Sequence, residues 1–269
     1  MKKNQSARLI RRILLALFLL AFFCGGIRLL QLYRQYGNSR ATQQQATEQY
    51  TDHAAPSPRP SPDAAARGTV CAPIRVDFDS LCAVNEDVIG WIYCEDTVIN
   101  YPVVAGSDNE FYLNHDYRRE YDPSGAIFTD MSNSRGFTDS NTILYGHHMS
   151  DLSMFATLKN WQDPDYLAEH PVMWLLTPER DYRVELFAAY PTTARSETYT
   201  IFRGPRPELE DYLAWVMRWS EVSTDVTLDT DSRYVVLSTC AYFYDDGRTV
   251  LHGKLVPVDS AGGVLLPAE

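Results

Sequence analysis

Cys240 and Arg248 stand at adjoining ends of two predicted strands. The β-branched run Tyr234–Leu237 leads to Cys240, turn residues follow at 245–247, and Arg248 opens the next apolar run. If the two strands pair, the thiol and the guanidinium lie at the same edge of the sheet. A fixed cation beside a thiol favours the thiolate, which is the nucleophilic form of cysteine. The alternative is that Cys240 is an ordinary small core residue, since free cysteine is often buried.

A histidine decides between these alternatives. The predicted strand at 141–145 is followed by Gly146, which allows a sharp exit, and then by His147. A histidine within reach of a thiol can exchange a proton with it and can later protonate a leaving amine. The residue types therefore favour Cys240 as nucleophile and His147 as acid and base. Arg248 would be a fixed positive partner for an oxyanion or for substrate carbonyls.

Metal binding is the rival use of these histidines. The chain has no His-Glu-x-x-His and no Cys-x-x-Cys, and the adjacent His147 and His148 point to opposite faces of an extended chain. Acidic residues cluster in predicted turns, but no loop has the ligand spacing that calcium needs. We therefore expect no metal and no cofactor. His252 lies on a predicted core strand and is interpreted as structural, and His148 as a surface residue.

Short strands separated by turns dominate the body of the chain. Together with few helices they predict a barrel or a sandwich. One helix is predicted from Phe78 onward, and two more interrupt the strands, at Ser153–Trp161 and Pro207–Trp219. The predicted strands are Val88–Tyr93, Val98–Val104, Ala126–Thr129, Thr142–Tyr145, Val172–Thr177, Tyr182–Tyr190, Tyr234–Leu237 and Thr249–Val256.

The charge of the chain is divided between its two ends. Residues 1–50 hold eight basic residues against Glu48 alone, so they carry +7; since the whole chain carries −11, the remainder carries −18. An acidic body argues against nucleic acid as a partner, because a nucleic-acid surface needs clustered Lys and Arg. Residues 13–30 are almost wholly apolar and close to the length that a bilayer requires. Because basic residues precede them, the positive-inside rule predicts a cytoplasmic N-terminus and an extracellular body.

A cleaved signal peptide is the rival to an uncleaved anchor, but no clean small-x-small cleavage pattern follows the apolar run. The next segment holds Gln43–Gln45, several alanines and a Pro-Ser repeat at residues 56–62, which favours an extended, solvated spacer. We therefore predict a cytoplasmic N-terminus (1–12), a transmembrane signal anchor (13–32), an extracellular flexible stalk (33–72), a catalytic domain (73–259) and a C-terminal tail (260–269).

Residues 74–258 resemble the sortases, and specifically those of class B. The catalytic part of the resemblance is the strand ending in Gly146-His147, the segment Leu237-Ser-Thr-Cys240, and Arg248 on the following strand. Sortases with an acidic residue just after the cysteine differ from this chain, which has Ala241 and Tyr242 there. The class B features are Val88-Ile-Gly-Trp-Ile, Ile99-Asn-Tyr-Pro-Val-Val104, Asn109-Glu-Phe-Tyr-Leu-Asn-His-Asp116, Gly125-Ala-Ile-Phe-Thr-Asp130, Met154-Phe155 and the helix at Pro207–Trp219.

The resemblance implies a mainly β fold, a closed sortase-type barrel of about eight strands with an N-terminal helix and a helix inserted between late strands. It implies a transpeptidase that cleaves a C-terminal sorting motif such as Asn-Pro-x-Thr-x after its threonine, through a thioester on the cysteine. The partners would be secreted proteins with a sorting signal and a peptidoglycan amine. Matching positions suggest that Asn109, Leu113, Tyr145 and Ser238 line the substrate groove, although Leu113 and Tyr145 could be core and Asn109 could cap a short helix.

Other functions remain open at this point. A pilin-polymerising sortase would use the same catalytic residues with a subunit lysine as acceptor, and a membrane-tethered binding domain would use none of them. A cell-wall cysteine hydrolase is a more distant alternative. Cys71, Cys82 and Cys94 lie outside the predicted membrane segment, where a disulfide is possible. Only Cys82 and Cys94 fall in the predicted folded part, and their apolar positions favour buried thiols.

Overall fold

The computed structural model describes residues 2–53, 71–240 and 246–258 of the 269-residue chain. The chain divides between Thr42 and Gln43 into two compact units. Helix α1 (Lys2–Tyr50) contains the apolar segment, and from Leu14 onward it is long and apolar enough to cross a membrane.

Helix and strand occupy the beginning of the segment that the sequence predicts as an extended spacer. Helix α1 continues to Tyr50, since glutamine, alanine and glutamate favour a helix and no proline interrupts it. Strand β1 (Thr51–His53) then pairs antiparallel with β2 (Ile74–Val76). The backbone N–H of Asp77 donates to the Tyr50 carbonyl at 2.9 Å. The Pro-Ser repeat at 56–62 lies outside the described residues, as does the predicted C-terminal tail.

Eight strands close into a barrel, which confirms the predicted fold class. Its order is β10-β8-β7-β3-β4-β5-β6-β9, with β9 pairing back onto β10. Two pairs of neighbouring strands, β4 with β5 and β6 with β9, are parallel. All other neighbouring strands in the barrel are antiparallel. The strands are β3 (Val88–Tyr93), β4 (Asn100–Val104), β5 (Ile127–Thr129), β6 (Asn141–Tyr145), β7 (Val172–Leu176), β8 (Asp181–Thr193), β9 (Arg233–Cys240) and β10 (Gly247–Val258).

In the described part of the chain, three α-helices accompany the barrel: α2 (Phe78–Val84), α3 (Pro164–Glu169) and α4 (Pro207–Trp219). Asp77 is the N-cap of helix α2, and its side chain accepts a hydrogen bond from Ser80 N–H. The helix predicted at Ser153–Trp161 is a 3-10 helix over Ala156–Gln162. Two further 3-10 turns are present among the described residues. The one at Phe111–Leu113 is the short helix expected after Asn109, whereas the one at Glu197–Tyr199 was not predicted from the sequence.

Helix α4 packs one face against the barrel. Its first turn contains Pro207, whose fixed φ suits that position. Leu209, Leu213 and Val216 are buried, as their helical spacing predicts, in a cluster with side chains of β8, β9 and β10. The helix thus covers the barrel between the two strands that flank it in sequence, β8 and β9.

Burial separates the described cysteines from one another. Cys24, Cys71, Cys82 and Cys94 are free thiols. Cys94 is buried, as predicted, Cys82 is half-buried, and Cys71 is exposed. Burial raises the pKa of Cys94 to about 11, so this thiol stays protonated at neutral pH.

His252 is a structural residue, as its strand position predicts. The side chain is 1% exposed and stacks on Tyr190, with ring centroids 5.4 Å apart. Its Nε2 lies 3.0 Å from the Tyr190 hydroxyl, which in turn lies 2.9 Å from the Thr198 hydroxyl. Burial lowers the pKa of His252 to about 3.

The buried neutral His252 predicts a loss of stability in mild acid. In the unfolded chain an imidazole binds a proton below about pH 6.5, whereas the folded chain resists protonation down to about pH 3. The free energy of unfolding should therefore fall as the pH drops below 6.5, by about 2 kcal/mol at pH 5 from this residue alone. Urea titrations at pH 7.5, 6 and 5 measure this free energy of unfolding.

His252→Gln is the matched control, because glutamine can still accept from Tyr190 but does not titrate. The gap in unfolding free energy between wild type and His252→Gln should narrow or reverse on acidification. A gap that stays constant from pH 7.5 to 5 contradicts the prediction.

Candidate active site

The strand register brings Cys240, Arg248 and His147 to one end of the barrel. Cys240 is the register partner of Arg248 in the antiparallel β9/β10 pair. On the other side of β9, Ser238 pairs in parallel with Tyr145 of β6. His147 follows Tyr145 by two residues, as Cys240 follows Ser238. His147 and Cys240 therefore lie at the same edge of the sheet.

Gly146 allows the chain to leave β6 where His147 begins. Its N–H donates to the Ser238 carbonyl at 3.1 Å, which continues the parallel pairing by one residue. A Cβ at this position would lie 2.6 Å from Ile127 Cδ1 and 2.7 Å from Phe155 Cδ2. Glycine is therefore required by close packing on both sides.

His147 is held by its backbone and by its ring. Its carbonyl accepts from Phe155 N–H at 3.0 Å. The ring is half-buried, and Nε2 lies 2.6 Å from the carbonyl oxygen of Leu113. Because a carbonyl oxygen can only accept, Nε2 carries a proton. Nδ1 is consequently the ring nitrogen that is left to exchange a proton with a reacting group.

Arg248 is half-buried at the start of β10. Its Nη1 donates to the Gly247 carbonyl at 2.9 Å. Within the described ranges, no carboxylate forms a salt bridge with it. Its positive charge is therefore available to oxygen atoms of a bound molecule.

A cleft of about 350 Å³ contains the predicted site residues. It is lined by His147 and Arg248 and by all four residues predicted for the groove, namely Asn109, Leu113, Tyr145 and Ser238. The cleft is lined in addition by Phe128, Gly146, Ala194, Tyr199 and Thr239. The prediction of His148 as a surface residue is not matched, because its side chain is half-buried.

Asn109 does not cap the following 3-10 turn. Asp108 has that role, since its carboxylate accepts from the N–H groups of Glu110 and Phe111 at 2.8 and 2.7 Å. Asn109 instead donates from Nδ2 to Asp130 Oδ2 at 3.0 Å and accepts from Met131 N–H at 2.8 Å. Its side chain is therefore tied to the end of β5.

Tyr145 is bonded to the same acidic residue. Its hydroxyl donates to Asp130 Oδ2 at 2.9 Å. Burial, and next the Asp130 carboxylate, raise the pKa of Tyr145 well above its ordinary value. The phenol therefore keeps its proton and remains a donor to Asp130.

Sequence reasoning missed Tyr199 and Asp130. Tyr199 lies in a 3-10 turn between β8 and α4, its hydroxyl is 2.8 Å from the hydroxyl of Ser238, and its ring stacks on Tyr145 at 6.2 Å. No sequence signal singles out Tyr199 among the residues that join β8 to α4. Asp130 does carry a signal, an acidic residue directly after a strand.

Comparisons with known proteins agree on one family. A family model described as the sortase domain matches residues 92–256. The chain is 38% identical over 194 residues to Sortase B of Listeria monocytogenes, covering 71% of this chain and 79% of that protein. It is 33% identical to Sortase B of Staphylococcus aureus, covering 69% and 77%. The crystal structure of sortase B from Bacillus anthracis superposes with a TM-score of 0.69 at 32% identity, covering 84% of this chain and 99% of that one.

The packing around Gly146 predicts the effect of adding one methyl group. Gly146→Ala should lower the free energy of unfolding by about 1–3 kcal/mol, because Phe155 and Ile127 must move. It should also shift the His147 imidazole signals in a ¹H–¹⁵N spectrum. Gly204→Ala is the control, since a Cβ there meets no atom within 4 Å. Equal stability and unchanged His147 signals in both variants would show that the close approach is unimportant.

Proposed function

Because the chain belongs to the sortase family and is a class B cysteine transpeptidase, we propose that it cleaves an Asn-Pro-x-Thr-x-like sorting motif after threonine and joins the protein to a peptidoglycan amine. The family implies substrates with a sorting signal and an amine acceptor. The observation that supports the proposal is the register of β9, which sets Cys240 opposite Arg248 and at the edge where His147 leaves β6.

In the proposed first half-reaction, the Cys240 thiolate attacks the threonine carbonyl carbon and forms a C–S bond. The carbonyl π electrons move to oxygen, and Arg248 stabilises that charge. When the intermediate collapses, the C–N bond breaks and His147 gives the Nδ1 proton to the leaving amine. The Nε2 proton stays on the ring and is donated to the Leu113 carbonyl throughout, so the ring keeps its orientation as it changes charge.

The second half-reaction reverses these roles. The acceptor amine attacks the thioester carbonyl, loses a proton to His147 Nδ1, and forms a new C–N bond while the C–S bond breaks. Cys240 leaves as thiolate, and no net oxidation or reduction takes place. The groove residues Asn109, Leu113, Tyr145 and Ser238 are proposed to hold the motif, since all four line the same cleft as His147 and Arg248.

The apolar stretch of α1 is proposed to anchor the chain in a membrane. Its length and composition are compatible with a membrane anchor. Basic residues precede it, which supports a cytoplasmic N-terminus and an extracellular catalytic domain on a single-pass protein.

The catalytic assignment predicts distinct losses in three variants. The full-length chain in detergent micelles should cleave Asn-Pro-x-Thr-x peptides after threonine and join the acyl part to added triglycine, as measured by chromatography of both products. Cys240→Ala should remove all turnover, and His147→Ala should reduce kcat/KM by about 100-fold or more. Arg248→Lys should also reduce it, since a lysine cannot reproduce the guanidinium fork.

Cys71→Ala is the control, because this exposed thiol lies outside the cleft and its loss should leave kcat/KM unchanged. Full activity in Cys240→Ala, or cleavage with no transfer to any amine, would refute the transpeptidase assignment. A lysine-bearing pilin peptide, tested beside triglycine, shows which acceptor the enzyme prefers.

A further inference from the structure

Asp130 joins two cleft residues that come from different parts of the chain. It stands directly after β5 and is not among the residues that line the cleft. Its Oδ2 accepts from both Asn109 Nδ2, at 3.0 Å, and the Tyr145 hydroxyl, at 2.9 Å. Its Oδ1 accepts from Ser132 N–H at 2.8 Å, which fixes the carboxylate plane in the turn after β5.

These bonds determine which way the Asn109 amide faces. Its oxygen accepts from Met131 N–H at 2.8 Å, and its nitrogen donates to Asp130. A flipped amide would place oxygen against carboxylate and N–H against N–H, and both contacts are repulsive. One N–H of Asn109 has no partner in the described part of the chain, so Asn109 offers the cleft a donor.

Tyr145 offers the cleft an acceptor, whereas Asn109 offers it a donor. Because its hydroxyl proton is directed to Asp130, its oxygen is left as an acceptor. Asn109 and Tyr145 both line the cleft. The cleft wall therefore presents one fixed donor and one fixed acceptor, which match the C=O and the N–H of a peptide amide.

We propose that Asp130 is a positioning residue for recognition of the sorting peptide. Acting through Asn109 and Tyr145, it sets the donor and the acceptor that bind an amide group of the motif. The inference rests on the proposed function and goes beyond it, because it assigns a role to a residue that touches neither the peptide nor Cys240, His147 or Arg248.

Asp130→Asn in the full-length chain tests this role. An asparagine has one acceptor oxygen in place of two and no charge, so it cannot hold both partners and the turn. KM for an Asn-Pro-x-Thr-x peptide should rise about ten-fold, with kcat within about two-fold. The rate of Cys240 alkylation by iodoacetamide should be unchanged, because the network does not include His147 or Arg248.

A double-mutant cycle separates positioning from a purely structural role. If Asp130 acts through Asn109 and Tyr145, then Asp130→Asn should raise KM by no more than about two-fold further in an Asn109→Ala/Tyr145→Phe background. Asp139→Asn is the matched control: this buried acid likewise bonds an asparagine side chain and a backbone N–H, from Asn133 and Ser134, but lies outside the cleft. Its KM should equal that of the wild type.

An unchanged KM in Asp130→Asn, or full additivity with the Asn109→Ala/Tyr145→Phe pair, overturns the inference. If Asp130→Asn does not fold, Asn109→Ala and Tyr145→Phe decide, since both must raise KM and an unchanged KM in either overturns it. The proposed function fails separately: in that case the wild-type chain itself neither cleaves the peptide nor transfers it.

Discussion

The parallel pairing of β6 with β9 determines where chemistry can take place on this barrel. It sets Tyr145 beside Ser238, and the Gly146 bond to Ser238 extends the pairing to the point where His147 begins. A slip of one residue would turn every side chain of β9 to the opposite face. The register is protected because β9 pairs along its other side with β10.

Burial decides how this fold uses residues that could do chemistry. Cys94 and His252 have reactive side chains, but desolvation keeps both neutral at pH 7 and hydrogen bonds occupy them. His147 and Arg248 are half-buried in a cleft and are only partly engaged by backbone carbonyls. Their positions at strand ends give them both fixed geometry and access to a bound molecule.

Local pattern in the sequence predicted most of the fold. Strand β3 and helix α4 begin and end at the predicted residues, because a short apolar run, turn residues and Pro207 are local signals. The groove residues came from resemblance and not from pattern, and their placement in one cleft depends on the barrel. The bonds of Asp130 and the stacking of Tyr199 join segments far apart in sequence, and no local pattern encodes such contacts. The sequence does not predict the helix through residues 33–50, because the spacer character of the nearby Pro-Ser repeat was assigned to the whole segment 33–72.

The covalent intermediate offers the most direct test of the central claim, that the β9 register makes Cys240 the nucleophile of this site. The full-length chain would be incubated with an Asn-Pro-x-Thr-x peptide without an acceptor amine, quenched in acid, digested with pepsin and sequenced by tandem mass spectrometry. The account predicts an acyl mass that ends at the threonine and is attached to Cys240, and that disappears when triglycine is added. Peptide turnover with the acyl group on another residue, or with no acyl group on the chain, would contradict it.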